Sequence, residues 1–384
     1  MKVRFWAAGL VVLGLVACGG EEPANEAGGA GSSEKLSVVV SGGVPCDLTK
    51  QVAGDSLEVT CLMEPGQDPH SYTLTAGDRR KLETADLIVY GGLGLEEELG
   101  KAFTSAKVEA IPVFEKAVPD PLFADSDPHA GHDHGHSNGD HDGHDDHDHG
   151  HGDEKHDDHK GHDHDDHGHD PHGDHDHDEE HGDEKHGDEE HGDHGAEGKF
   201  VDPHVWHDAT LGAASVKVIA ESLGGLNPEA AAEYEERAEA IAAELTELDG
   251  WIKTQIETVP KESRQLVTVH DAFRYYATAY GLEVPGTVGN ANHDSKPSAQ
   301  DLAELVDRVK ALKIPTIFAE TTSDSSTLET VARSAGIKLA ETALFVDGPG
   351  GDESEATSYQ EMLVTNTCAI AEGLGGTCGT SPLE

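Results

Sequence analysis

Outside one low-complexity tract, the 384-residue chain holds five histidines: His70, His204, His207, His270 and His293. Three of them stand in similar settings, CLMEPGQDPHSY, FVDPHVWHD and VTVHDAF, where a strand or loop gives way to a helix. A fourth such junction, ALFVDGPGG, carries an acid instead, Asp347. In open α/β sheets, ligands bind at such junctions beyond the carboxyl ends of the strands. Three imidazoles and one carboxylate can fill a tetrahedral zinc shell. Imidazole also suits copper, iron and nickel, so donor type alone leaves the metal open. A shell closed by four protein ligands has no position for a water nucleophile, which points to carriage of a metal and away from hydrolysis. No HExxH or GxSxG motif occurs, and the HDEEH at residues 177–181 fits a peptidase pattern by chance within a tract of one composition. His207, three residues past His204, is a candidate extra ligand or a solvent-facing neighbour of the cleft. His293 reads as a surface residue.

The low-complexity tract holds the other 22 of the 27 histidines, between residues 129 and 194. It opens with His129, His132, His134, His136, His141, His144, His147, His149 and His151, interleaved with Asp, Glu and Gly. Nothing in it can form a core, so it is expected to be disordered when nothing is bound. Neighbouring imidazoles and carboxylates offer several weak, flexible metal sites. Of the net charge of −50, this tract carries −22 and the rest of the chain −28. Such acidity suits cations and argues against nucleic acid or an anionic membrane as partner.

The elements that must position these residues alternate between strand and helix. Apolar β-rich runs at 35–41, 57–62 and 86–90 are separated by helix-like stretches at 45–53 and 77–85. Beyond the tract, taken as an insert at 125–198, residues 209–223 have helical period, with Asp208 as N-cap and Gly224-Gly225 as stop. Asn227-Pro228 then starts an Ala/Glu-rich helix of nearly thirty residues. The alternation resumes with a strand at 265–269 and helices at 272–280 and 298–312. A strand at 316–319, a helix at 325–335, a strand at 338–342 and a last helix at 355–374 complete it. The prediction is an α/β fold of two lobes with parallel sheets, joined by one long rigid helix. The boundaries are 35–226 for the first lobe, 227–258 for the linking helix and 259–384 for the second lobe.

The N-terminus reads as an export signal, residues 1–17, with Lys2 and Arg4 ahead of a short apolar run. Leu15-Val16-Ala17-Cys18 fits a bacterial lipobox, which places a lipid on Cys18 and leaves residues 18–34 as a flexible tether. The mature protein is then exported and lipid-anchored, facing the periplasm or the cell exterior, where disulfides persist. The remaining cysteines, Cys46, Cys61, Cys368 and Cys378, allow three connectivities, of which Cys46/Cys61 with Cys368/Cys378 has the short loops.

In ordered succession the motifs are GxDPHxY at 66–72, LxxADLIVYGG at 82–92, DPHxWxD at 202–208, HDAFxYxxxxYGL at 270–282, IFAE at 317–320 and LFVD at 344–347. Together they resemble the substrate-binding lipoproteins of bacterial ABC importers for zinc and manganese, the ZnuA/TroA-like group, over about residues 36–374. The resemblance implies a non-enzymatic, monomeric receptor that delivers its metal to a permease with its ATPase. It implies a metal site in the cleft between the lobes, with His70 and His204 from one lobe and His270 and Asp347 from the other as ligands and Glu320 behind them. The third ligand is His in zinc receptors and Glu in manganese receptors, so His270 favours Zn2+ over Mn2+. Zinc-type members often carry a His-rich loop at this place. Other readings are a surface metal store, a metal-dependent adhesin and a manganese receptor. The chain departs from the family at His207-Asp208-Ala209, where Leu and then Asp-Pro are usual.

Overall fold

The computed structural model describes residues 35–125, 199–287, 299–322 and 325–383. The export signal, Cys18, the tether, residues 126–198 of the His-rich insert and His293 lie outside the described residues. Strands β1 (Ser37–Val40), β2 (Glu58–Cys61), β3 (Leu87–Tyr90) and β4 (Ala110–Pro112) form a parallel sheet of order β2-β1-β3-β4. Helices α1 (Gly43–Ala53), α2 (Ala76–Thr84) and α3 (Glu97–Thr104) connect them, and α4 (Val113–Ala117) follows. The central strands β1 and β3 are apolar on both sides because both faces of the sheet are covered there. Val38, Val40, Leu87 and Val89 face the main core, while Val39 and Ile88 face a separate cluster with Leu62, Met63, Leu82, Leu99 and Phe103. Strand order reverses between β1 and β3, which is where such sheets open a ligand crevice.

A short antiparallel hairpin follows, β5 (Phe123–Asp125) against β6 (Lys199–Val201), and the insert springs from its tip. After a single 3-10 turn, Val205–His207, come α5 (Ala209–Leu226) and α6 (Ala231–Glu257). Asp208 caps α5 through the Thr210 amide, as its position foretold. The helix runs past the expected stop at Gly224-Gly225, because Gly224 lets the next helix in: a Cβ there would lie 3.2 Å from Ala231 Cβ. Accordingly α6 begins at Ala231 and not at Pro228. Its 27 residues span about 40 Å. Tyr234, Ala238, Ile241, Leu245, Leu248, Ile252 and Ile256 form one buried stripe along it. Each such large side chain contributes about 1.5–3 kcal/mol by leaving water.

The second lobe holds α7 (Arg274–Tyr280), α8 (Ala299–Leu312), β7 (Thr316–Ile317), α9 (Ser326–Ala335), β8 (Lys338–Leu339) and α10 (Tyr359–Gly373). Strands β7 and β8 pair in parallel, and isolated parallel bridges join Gln265 to Glu283 and Glu320 to Leu344. The strand expected at 265–269 is reduced to one bridge. Side chains explain the reduction: Glu320 takes the amides of Val269 and His270, and the Thr268 hydroxyl donates to the His270 carbonyl. The chain becomes a binding turn where a ladder would otherwise continue. α10 starts at a capping box, with the Ser358 hydroxyl and the Glu361 carboxylate each accepting from the other's backbone N–H.

The main core is continuous across both lobes, from Val38 and Phe114 through the α6 stripe to Phe273, Val346, Tyr359 and Leu374. A second, smaller core holds α8, α9, β7 and β8 together through Leu305, Val309, Ile317, Leu328 and Val331. Cys46 pairs with Cys61 and Cys368 with Cys378, the short-loop connectivity. Closing a loop of 15 residues is worth about 3 kcal/mol through the unfolded chain. No helix among the described residues is long and apolar enough to cross a membrane.

Candidate metal centre

Among the described residues the segment Asp-Pro-His occurs twice, at 68–70 and 202–204, and folds the same way both times. Asp68 Oδ1 accepts from the His70 amide at 2.8 Å, and Asp202 Oδ1 accepts from the His204 amide at 3.0 Å. An Asp two residues ahead thus ties down the backbone of each histidine, and the intervening Pro limits its freedom. Asp202 Oδ1 also lies 2.8 Å from His204 Nδ1. His270 receives equivalent treatment from a distant residue. Glu320 Oε1 accepts from the Val269 and His270 amides at 2.9 and 3.0 Å, and its Oε2 lies 2.7 Å from His270 Nδ1. A carboxylate against Nδ1 calls for the N–H there and presents Nε2 as the ligating atom.

These turns bring four predicted residues together. Ligand atoms of His70, His204, His270 and Asp347 all lie within 4.8 Å of one another. His70 Nε2 and His204 Nε2 are 3.2 Å apart. Two nitrogens on a tetrahedral zinc, each about 2.05 Å from the ion, are separated by about 3.3 Å. That edge of the shell is already set. The ring centroids of the three histidines are 5.2, 5.4 and 6.2 Å apart, with the planes tilted so that the rings converge without stacking. Asp347 is 7% exposed, and its Oδ1 makes no hydrogen bond, an atom aimed into the site without a partner.

Burial and charge shape the site's protonation. Burial pushes the Asp347 carboxyl up to about 7, with Asp68 and Glu320 adding to the rise against the pull of His270. Burial alone would lower His270, but Glu320, Asp347 and Asp68 outweigh it and hold the imidazole up at about 9. Burial likewise raises Asp202 to about 6, against the His204 amide and the charges of Arg274, His270 and His70. A cavity that gathers this much negative charge beside neutralisable imidazoles is suited to a divalent cation.

His207 is neither of the alternatives read from its position. It is fully buried, lies outside the four-ligand group and stacks on Phe273 at 4.3 Å. Neither ring nitrogen has a hydrogen-bond partner, and burial, then His204 and His270, hold its pKa well below the usual imidazole value. It sits at the end of the 3-10 turn Val205–His207, where its ring is enclosed by Trp206 at 5.7 Å and Phe273 instead of facing solvent. Glu320 falls where expected, behind His270. Asp202 went unnoticed as a partner of His204, though the repeated Asp-Pro-His was a visible signal.

Known proteins match the chain over most of its length. The family model for zinc-uptake complex component A, periplasmic, matches residues 38–373. Zinc-binding protein TroA of Treponema pallidum (strain Nichols) is 28% identical over 358 residues, covering 90% of this chain and 91% of that protein. Manganese-binding lipoprotein MntA of Bacillus subtilis (strain 168) is 26% identical over 372 residues, covering 94% and 95%. The solved structure of the Treponema pallidum periplasmic zinc-binding protein TroA superposes with a TM-score of 0.65 at 28% identity, over 89% of this chain and 99% of that one. The two-lobe α/β fold and this match over residues 38–373 place the protein in the zinc-uptake component A family, metal-binding solute receptors of ABC importers that carry out no catalysis.

Proposed function

We propose that the protein is a receptor for Zn2+, held by His70, His204, His270 and Asp347 and passed to a membrane permease driven by its ATPase. The observation that carries this reading is the convergence of three imidazoles and one carboxylate, two of the imidazoles backed by carboxylates. Zinc favours such a nitrogen-rich, four-coordinate shell, whereas manganese prefers more oxygen ligands and a larger coordination number. Relatives are named for both metals, so the metal is the point to test. In this reading the chain acts as a monomer, anchored through the lipid on Cys18. The His-rich insert binds metal loosely and raises its concentration beside the site.

Calorimetric titration of the full chain with Zn2+ and Mn2+ tests the assignment. One tight Zn2+ per chain and a much weaker Mn2+ response are expected. His204→Ala and His270→Ala each remove the tight event and leave the weak ones. Tight binding that survives in both variants refutes the ligand set, and equal or tighter Mn2+ binding favours a manganese receptor.

A further inference from the structure

The four ligands do not divide evenly between the lobes when judged by what holds them. Val205 and Trp206 beside His204, Ala272 and Phe273 after His270, and Phe345 and Val346 before Asp347 all belong to the single main core. The His70 loop is attached elsewhere. Tyr72 and Leu74 pack on the cluster across the opposite face of the sheet, with Leu62, Met63 and Leu82. The Tyr72 hydroxyl bonds the Leu62 carbonyl at 3.1 Å and Asp78 Oδ2 at 3.0 Å, both within the first lobe.

The His204 segment, by contrast, is pinned to second-lobe groups along its length. The Trp206 indole N–H donates to the Val346 carbonyl at 2.7 Å, one residue from Asp347. The Tyr359 hydroxyl donates to the Trp206 carbonyl, and the Ala209 amide donates to the Tyr280 hydroxyl at 3.2 Å. The Leu122 amide donates to the Tyr275 hydroxyl at 2.8 Å, and the Leu122 carbonyl accepts from the Asp202 amide. His207 lies flat on Phe273, so the residues three past ligands His204 and His270 stack on each other. His204 therefore precedes the long helix in sequence but is fastened to the lobe beyond it.

We propose that the site is a preassembled face of three ligands, His204, His270 and Asp347, closed by His70 from a separately anchored loop, with Trp206 as the positioning residue that couples His204 to Asp347. This rests on the ligand set proposed above. Capture and release then proceed through the His70 contact. The metal is met and surrendered by a three-coordinate face, and withdrawing one loop opens the shell without parting the shared core.

The test compares His70→Ala, His204→Ala, His270→Ala, Asp347→Ala and Trp206→Phe in the full chain. Zn2+ affinity is read by chelator competition and the coordination of Co2+ by its visible absorption. A variant lacking all four ligands supplies the baseline of the insert, and far-UV circular dichroism confirms that each variant is folded. His70→Ala should keep a 1:1 site at least about tenfold tighter than the other three single variants. Its Co2+ spectrum should shift on addition of free imidazole, which fills the opened position, and the others should not respond. Trp206→Phe keeps an aromatic side chain but loses the indole N–H together with the five-membered ring; it should weaken Zn2+ about tenfold and alter the Co2+ spectrum. If His70→Ala is as damaging as the rest and blind to imidazole, the three-plus-one division is wrong, although the receptor reading stands. If none of the four alanine variants loses tight Zn2+, the ligand set itself fails. An unchanged affinity and spectrum in Trp206→Phe removes that residue from the positioning role.

Discussion

At His270 three carboxylates surround one imidazole, and its pKa of about 9 means that the metal-free site carries a proton there at neutral pH. A bound metal needs that nitrogen bare, so Zn2+ must displace the proton. The direction follows directly. Between about pH 7 and 9 apparent affinity should rise roughly tenfold per pH unit, levelling once His270 is neutral without metal. Below about 7 Asp347 is protonated too, and the fall becomes steeper. An unperturbed imidazole, at about 6.5, would instead give a plateau above neutrality. Calorimetry at pH 8 in buffers of differing ionisation enthalpy should register release of about one proton per Zn2+. Glu320→Gln should move this dependence toward the ordinary imidazole range and weaken binding by about 10- to 100-fold. A flat affinity between pH 7 and 9 in the unaltered protein contradicts the charge arrangement.

The first element of the fold to meet the second lobe is α1, and it does so backbone to backbone. Gly43 has φ +52°, and a Cβ there would lie 2.1 Å from the Asp347 carbonyl oxygen. Gly348 presses equally on Gly43, where its own Cβ would come within 2.6 Å of Gly43 Cα. This contact seats the Asp347 turn at the crevice beside β1. Gly43→Ala should both destabilise the protein and lower Zn2+ affinity by shifting Asp347. Gly281 is the control, with φ +76° at the end of α7 and nothing within 4 Å of its would-be Cβ. Gly281→Ala should cost about 1 kcal/mol of stability and leave Zn2+ affinity unchanged. Thermal unfolding and metal titration of the two variants separate strain from displacement. The sequence showed His70, His204, His270 and Asp347 because junction position is a local property. It could not show Gly43 against Asp347, or Trp206 against Val346, because those contacts join residues 140 or more positions apart. The misjudged end of α5 and start of α6 have the same origin: Gly224 packs against Ala231 of the next helix, a contact that periodicity does not report.

Across the whole molecule, one core carries three candidate ligands, and the insert is attached at a single point that leaves that core intact. Asp125 and Lys199 are direct partners in the β5–β6 register, so the two ends of the insert already lie side by side. A two-residue Asn-Gly turn is the connection that antiparallel strands in such a register accept. Replacing residues 126–198 by that turn should therefore preserve the hairpin, with Ala124 1% exposed beneath it, and cooperative unfolding should persist. β6 leads directly into Asp202 and His204, so a disturbed hairpin would appear at once as a weakened tight site. The expected result is one tight Zn2+ per chain, with affinity unchanged and the weaker calorimetric events gone. Loading from very dilute zinc should become slower, because the tethered reservoir is lost. Loss of all zinc binding in the shortened chain, with its fold retained, would make the insert the binding element and the protein a metal store.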